Sequence, residues 1–317
     1  MSYTVYADVR ELTHDRWLEN RKSGIGGSDA GAIMGANPYR GAYGVWADKL
    51  GKTDPVEDNE ALRQGRDFED YVARRFAEKT GLRVRREYGM LRSDAWPWMV
   101  ANIDRRIVGE RAGLECKTSR DVHMKRYKNG DFPMEYYCQC LHYLAVTGWD
   151  RWYLAVLVYG TDLLTFEIKR EDVEDDIGAL IKAEDSFWHE YVLPERQPLP
   201  DGLESTTKAL GAVWAASAPE MAIDADDKAD ELLSRLCGLK RERKTLDEQI
   251  AETENTVKAR MQEAEVLRGT SATATWKGVD VRHLSERKIK EKFPWLDIDE
   301  LKETTHQRRF ALRSEEE

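Results

Sequence analysis

The order of elements along the chain predicts an α/β fold: a central mixed β-sheet flanked by helices, then a helical extension carrying a small β element. Three observations predict it. In EALRQGRDFEDYVARRFAEKTG, residues 60–81, Leu62, Phe68, Tyr71, Val72 and Phe76 recur at three- and four-residue steps, the period of one helix face. Three strand-like runs follow, then a helix, two more β-rich runs and a further helix, an order that packs as layers around a sheet. Beyond residue 222 the pattern changes to leucines at heptad-like spacing, which predicts a long helix or helical hairpin of coiled-coil character.

Taken in order, residues 13–22 form an amphipathic helix. The Gly-rich link SGIGGSDAGAIMG then offers Ser28 and Asp29 as N-caps for a helix starting near Ala30, ended by Asn37-Pro38-Tyr39. A helix near 43–50 and the polar loop GKTDPVEDNE precede the helix over 60–80, which Gly81 terminates. Strands are expected at 82–91 (LRVRREYGML), 98–108 (WMVANIDRRIV) and 113–118 (GLECKT). PMEYYCQCLHYLAVTG reads as a helix with Tyr136, Cys140, Tyr143 and Leu144 on one stripe. RWYLAVLVYG and LLTFEIKR read as strands, and 171–190 as a helix. Four of the nine prolines (Pro194, Pro198, Pro200, Pro219) fall in 194–222, which reads as a linker or wrapping strap. The expected organisation is a folded unit over 1–195, a strap over 196–225 and a helical extension over 226–317. In that extension Leu232, Leu236, Leu239, Leu246, Ile250 and Val257 form a stripe interrupted by Arg243 and Thr253. SATATWKGVDVRHL alternates like a hairpin, and Phe310-Ala-Leu-Arg adds a candidate strand.

Composition excludes several classes. The 317 residues are 41% hydrophobic and 34% charged, with no run of eighteen apolar residues, so no membrane span is expected. The N-terminus lacks the basic-then-apolar layout of a signal peptide, which points to the cytoplasm. Four cysteines, poorly spaced, make neither a disulfide framework nor a zinc or cluster site, and read as core-filling thiols. The net charge is −10, yet Arg105, Arg106, Arg111, Lys117, Arg120, Lys125, Arg126 and Lys128 fall close together. That asymmetry suggests a basic working surface on an acidic body, with Arg105 and Arg120 as candidate phosphate contacts.

The stretch ANIDRRIVGERAGLECKTS, residues 101–119, carries the chemistry. Asp104 ends one strand and Glu115 lies on the next, across a turn; antiparallel pairing brings them together. Period-two alternation places Glu115 and Lys117 on one face and Cys116 on the other, so the Cys116 carbonyl is a candidate third oxygen. Clustered hard oxygens with a nearby ammonium suit Mg²⁺ or Mn²⁺ and hydrolysis of a phosphodiester. The plainer reading is a cross-strand ion pair. Glu69 lies on the preceding helix and can add a fourth oxygen. Gln139 and Tyr143, at i and i+4, share a helix face and are candidates to orient the site. The six histidines are scattered, with His123 in a loop after the Glu-x-Lys strand, and there is no nucleotide-binding loop.

Together these motifs resemble the YqaJ-like viral recombinase family and the related lambda-type exonucleases, within the PD-(D/E)XK nuclease superfamily. WLENRKSGIGGSDAGAIMGANPY is similar to the family's opening motif, ALRQGRDFEDYVARRFAEKTG to its first acidic helix, VANIDRRI to its metal-Asp strand, GLECKTS to its Glu-x-Lys strand, and QCLHY to its Gln-x3-Tyr motif, over residues 10–195. The resemblance implies Asp104 and Glu115 as metal ligands, Glu69 as a further ligand, direct or through water, and Lys117 as the group that positions the attacking water. Gln139 and Tyr143 would support the site; Arg21, Ser28 and Asn102 match DNA-contacting positions, including those for a terminal 5′-phosphate. Asn102 and Ile103 replace the lambda-type Ser and Pro. The implied activity is an Mg²⁺-dependent 5′-to-3′ exonuclease on double-stranded DNA ends, leaving 3′ overhangs for phage-type recombination with a single-strand annealing partner. Related enzymes form toroids, which implies a homo-oligomer. The alternatives are a structure-specific or restriction-like endonuclease and, from another class, a non-catalytic DNA-end-binding or assembly module.

Overall fold

In the computed structural model the described residues are 2–55, 58–121, 125–282, 284–302 and 310–312. Among them no helix is long and apolar enough to cross a membrane. The chain divides into two units, Met1–Ala215 and Ala216–Glu317.

The first unit opens with β1 (Tyr3–Asp8), α1 (His14–Lys22), α2 (Gly27–Ile33), α3 (Ala42–Lys49) and α4 (Glu60–Thr80). Asn59 caps α4 by accepting the Leu62 N–H, and Gly81, at φ +75°, closes it in the left-handed conformation a side chain disfavours. Strands β2 (Val84–Arg86), β3 (Gly89–Ser93), β4 (Val100–Ala101), β5 (Arg105–Ile107) and β6 (Ala112–Ser119) follow. Then come α5 (Met134–Thr147), β7 (Arg151–Val158), β8 (Leu163–Lys169) and α6 (Glu174–Phe187), which a π-helical turn extends to Val192.

The central sheet has the order β2-β5-β6-β7-β8; β6 and β7 run parallel and the other neighbours antiparallel. This is the mixed, helix-flanked sheet the sequence predicts. The β6–β7 crossover carries α5, as parallel strands require. One sheet face packs Ile107, Leu114 and Ala155 against Val72, Ala73 and Phe76 of α4. The other packs Trp152, Leu154 and Val156 under α5, with α2 and α6 completing a larger core. On that face Trp152 lies flat over Gly113: a Cβ at Gly113 would sit 2.3 Å from the indole. Gly113→Ala is therefore expected to destabilise the unit by roughly 1–3 kcal/mol, the usual cost of overpacking, read as a lower denaturant midpoint at unchanged m-value.

Five expectations need correction. The runs 82–91 and 98–108 are each divided between two sheets: β3 and β4 join β1 in a separate antiparallel sheet of order β1-β3-β4, while β2 and β5 enter the central one. The two-residue alternation continues across each break and conceals it. Helix α2 starts at Gly27, not near Ala30; Asp29 stands in its first turn and accepts the Gly26 N–H at 3.0 Å, so neither Ser28 nor Asp29 is the N-cap. Within the proline-rich stretch, α7 (Glu204–Val213) forms and buries Thr206 and Ala209, adding a packed helix to the first unit. In the second unit α8 (Asp227–Met261) is one continuous helix; β9 (Val266–Arg268) pairs antiparallel with β10 (Thr273–Thr275), and α9 (Glu286–Lys292) follows. The hairpin therefore starts upstream of the one read over 271–284, and only β10 falls within that run. Residues 310–312 are not a strand, and Arg313 lies outside the described residues.

Candidate metal centre and DNA-contact residues

The break between β4 and β5 builds the site. Val100 pairs with Arg92 in the small sheet and Arg105 with Leu114 in the central one, so Asn102–Asp104 cross between sheets in three residues. The crossing is held from α5: His142 Nε2 donates to the Val100 carbonyl at 2.9 Å and the Tyr143 hydroxyl to the Asn102 carbonyl at 3.0 Å. Pairing of β5 with β6 stops at Leu114, which leaves the next edge of β6 open. There the Cys116 N–H donates to Asp104 Oδ2 at 2.8 Å. In an extended strand the N–H and C=O of one residue face the same edge, so the Cys116 carbonyl faces the Asp104 side as well.

Glu115 and Lys117 point to the α5 face, as alternation predicts, and the Cys116 side chain packs on the α4 face. Glu115 Oε1 accepts from Lys117 Nζ at 2.5 Å and from Gln139 Nε2 at 2.7 Å; Gln139 Nε2 also reaches the Tyr143 hydroxyl at 2.9 Å. Glu115 Oε2 is buried and has no hydrogen-bond partner. Burial pushes the Asp104 carboxyl well above the ordinary carboxylate range, and the charges of Glu115 and Glu69 push it further. Burial also raises Glu115, against the opposing pull of Lys117. Burial works against the Lys117 ammonium, but Glu115 and Asp104 outweigh it and raise its pKa, so it stays charged. Two carboxylates that resist ionising side by side, one with a stranded oxygen, are a donor set that a hard cation relieves. The residues fit Mg²⁺ or Mn²⁺.

Glu69 is not part of a ready ligand cluster. Its Oε1 pairs with Arg105 Nη1 at 2.5 Å and Arg86 Nη2 at 3.4 Å, and among the described residues no group of three His, Cys, Asp or Glu side chains stands arranged for a metal. Arg105 itself corrects an expectation. Its side chain is 4% exposed, bonded to Glu69, Asp70 and the Asp104 carbonyl, so it braces the strand rather than meeting a phosphate. Arg120 is exposed at the end of β6, with Gln64 Oε1 3.4 Å away. Accordingly, Arg120→Ala is expected to weaken DNA binding evenly across sequences and lower the salt slope by about 1, as one phosphate contact does. Arg105→Gln is expected to leave that slope unchanged and instead cost roughly 1–3 kcal/mol of stability, since it removes buried charge-assisted hydrogen bonds while Glu69 keeps Arg86 and Asp70 keeps its solvent.

Arg21 Nη2 donates to Ser28 Oγ at 3.1 Å and its guanidinium lies 4.8 Å over the Trp17 ring, so α1 and the start of α2 place these two residues together. Asn102 Oδ1 is buried without a partner on the crossing itself. His123 lies outside the described residues.

A family model for the YqaJ-like viral recombinase domain matches residues 16–150. The chain is also 35% identical over 314 residues to the uncharacterized protein YqaJ of Bacillus subtilis (strain 168), spanning 98% of this chain and 97% of that one. The chain belongs to the YqaJ-like viral recombinase family. Among solved structures it is similar to an alkaline exonuclease from Laribacter hongkongensis (TM-score 0.43, 19% identical, covering 56% of this chain and 95% of that one). It is also similar to a phage related exonuclease from Haemophilus somnus 129PT (TM-score 0.42, 13% identical, covering 54% and 96%).

Sequence reasoning missed the buried ionic groups behind the site of this YqaJ-family chain. Asp29, 1% exposed, pairs with Lys49 Nζ at 2.7 Å and Arg40 Nη1 at 3.0 Å, and Lys49 also donates to the Arg21 carbonyl at 2.9 Å. Burial alone would raise the Asp29 carboxyl, but the Lys49 and Arg40 cations hold it well below the usual range. His142 Nδ1 meets Glu184 at 2.9 Å, both fully buried; burial opposes the imidazolium, and the Glu184 charge overcomes it. A histidine inside the apolar run CLHYL was the available signal, because such a group needs a buried partner.

Proposed function

We propose that this chain is a divalent-metal-dependent deoxyribonuclease, acting 5′-to-3′ on linear double-stranded DNA and leaving 3′ single-stranded overhangs for recombination. Membership of the YqaJ-like recombinase family supports a nuclease role. The observation that carries the reading is the partnerless, buried Glu115 Oε2 beside Asp104 and Lys117. Asp104, Glu115 and the Cys116 carbonyl would hold the cation, with Glu69 reaching it through water. When bound, the cation supplies Lewis acidity at the phosphate and offsets charge on the leaving oxygen.

The chain's own residues do the rest. Gln139 and Lys117 fix one oxygen of Glu115, and the other would be free to hold the cation. Lys117, held as an ammonium, orients the water that adds to phosphorus as one P–O ester bond breaks. Tyr143 holds the crossing that carries Asp104. Arg21, Ser28, Asn102 and Arg120 contact the DNA, Arg21 gripping phosphate with its two-pronged fork. A single-strand annealing protein would receive the 3′ overhang, and the work belongs in the cytoplasm.

The test is a duplex labelled at its 5′ or its 3′ end, with and without 5′-phosphate, incubated with Mg²⁺ beside covalently closed circular DNA. Early release of the 5′ label and an intact circle are expected. Cutting of the circle identifies an endonuclease, and early release of the 3′ label reverses the polarity.

A further inference from the structure

Helix α8 runs 35 residues, about 50 Å at 1.5 Å per residue, and over its first two-thirds four of the large apolar side chains stand mostly in solvent, while Lys240 lies 6.0 Å from the Phe310 ring and Leu236 is half-buried. Leu232 is 65% exposed, Leu239 51%, Leu246 55% and Ile250 47%, all on the stripe of heptad-like spacing. A long helix with a bare apolar stripe is stabilised by what covers that stripe. The last third differs: Ile250, Val257 and Met261 form one wall of a groove of about 750 Å³ whose other wall is Ala274 and Trp276.

We propose that α8 pairs antiparallel with α8 of a second copy of this chain, about a two-fold axis between Lys244 and Thr245. The proposal does not rest on the nuclease reading. Its first support is the register. Turned about that axis, the helix sets Leu239 against Ile250, Leu232 against Val257, Leu236 against Thr253 and Leu246 against Arg243, so every apolar stripe residue from Leu232 to Val257 meets a stripe position. The second support is charge. Lys240, Arg241, Arg243 and Lys244 make a basic block, and Asp247, Glu248, Glu252 and Glu254 an acidic one. The antiparallel pair lays basic on acidic, with Lys240 facing the partner's Asp247. A parallel pair in register lays like on like and stacks Arg243 on Arg243 at one core level. Each Arg243 instead faces a leucine and keeps its own ion pair to Asp247, 3.5 Å away, along the helix edge. The third support is shape. The exposed leucines Leu232 and Leu239 fall against the groove beside Trp276 of the other copy, and the arrangement repeats by symmetry. Such a self-complementary patch is what an isologous two-fold contact requires.

The test uses the full chain at micromolar concentration, with mass from sedimentation and helicity from far-UV circular dichroism. Leu239→Glu/Leu246→Glu is expected to halve the wild-type mass, with helicity lowered by no more than the loss of α8 accounts for. Reversing the basic block (Lys240→Glu, Arg241→Glu, Arg243→Glu, Lys244→Glu) is expected to halve it too. Mixing that variant with one whose acidic block is reversed (Asp247→Lys, Glu248→Lys, Glu252→Lys, Glu254→Lys) is expected to restore it. Spin labels in a Cys237→Ser background then read the direction without disturbing the stripe. A label at Lys244→Cys is expected within reach of its mate, across an interaxial gap of about 10 Å. A label at Ala229→Cys is expected about 45 Å from its mate along the paired axes. A wild-type monomer, a mass that neither variant lowers, or two equally short label distances overturns the proposal.

Discussion

Replacing Asp104 with Asn, or Glu115 with Gln, lowers the cleavage rate by an expected thousand-fold or so, while affinity for duplex DNA stays within a few-fold of wild type. The magnitude follows from the several kcal/mol that a correctly held cation contributes to the transition state, each 1.4 kcal/mol being about a factor of ten. Amide substitutions separate charge from shape. Asn at 104 still offers an oxygen to the Cys116 N–H, and Gln at 115 still bonds Gln139, so the β5–β6 edge keeps its geometry while the cation loses a ligand. Binding is expected to persist because the proposed DNA contacts, Arg21, Ser28 and Arg120, do not depend on either carboxylate for their places. Single-turnover cleavage of a labelled linear duplex and fluorescence anisotropy of the same duplex give the two numbers. Cleavage within tenfold of wild type removes the assignment.

The second large effect is on stability. Asp29→Ala leaves Lys49, whose side chain is 2% exposed, without its carboxylate. Breaking a buried pair from one side costs roughly 3–5 kcal/mol, because the remaining charge is uncompensated. For a unit the size of Met1–Ala215 that is about 10 °C in melting midpoint. The double variant Asp29→Leu/Lys49→Met removes both charges and is expected to recover most of the loss. The same pair sets a pH signature. Asp29 has its pKa lowered in the fold from 3.8, so the unfolded chain takes up its proton first as pH falls. Its contribution is therefore full above pH 3.8 and fades below it, and wild type and Asp29→Asn should converge in acid. Parallel melting curves across that range would place the stabilisation elsewhere.

Much of this molecule was legible before its structure. Helix α4 declared itself through its apolar period and Gly81, and the Glu115-x-Lys117 strand through two charges in an apolar run. Gln139 and Tyr143 followed from their spacing on one helix face. What escaped was long-range in origin. No local pattern marks Asn102–Asp104 as a crossing between two sheets, since alternation continues through it and only partners distant in sequence, Arg92 and Leu114, decide where each strand ends. Arg105 looked like a phosphate contact because it sits in a basic run; its burial depends on Glu69 and Asp70 of α4, more than thirty residues earlier. Helix α7 was hidden by the prolines around it, and Asp29 by its likeness to a helix cap. For Asn102–Asp104, Arg105 and Asp29 a tertiary partner decided the use of the residue.

Asp104 and Glu115, with the Cys116 carbonyl, are proposed to form one cation site. Titrating the wild-type chain and its Asp104→Asn and Glu115→Gln variants with Mn²⁺, and following free Mn²⁺ by electron paramagnetic resonance, tests it without any DNA present. Saturable binding by the wild type and at least tenfold weaker binding by each variant are expected, the loss of one charged ligand being worth more than about 1.4 kcal/mol. Equal Mn²⁺ affinity in all three proteins would contradict it.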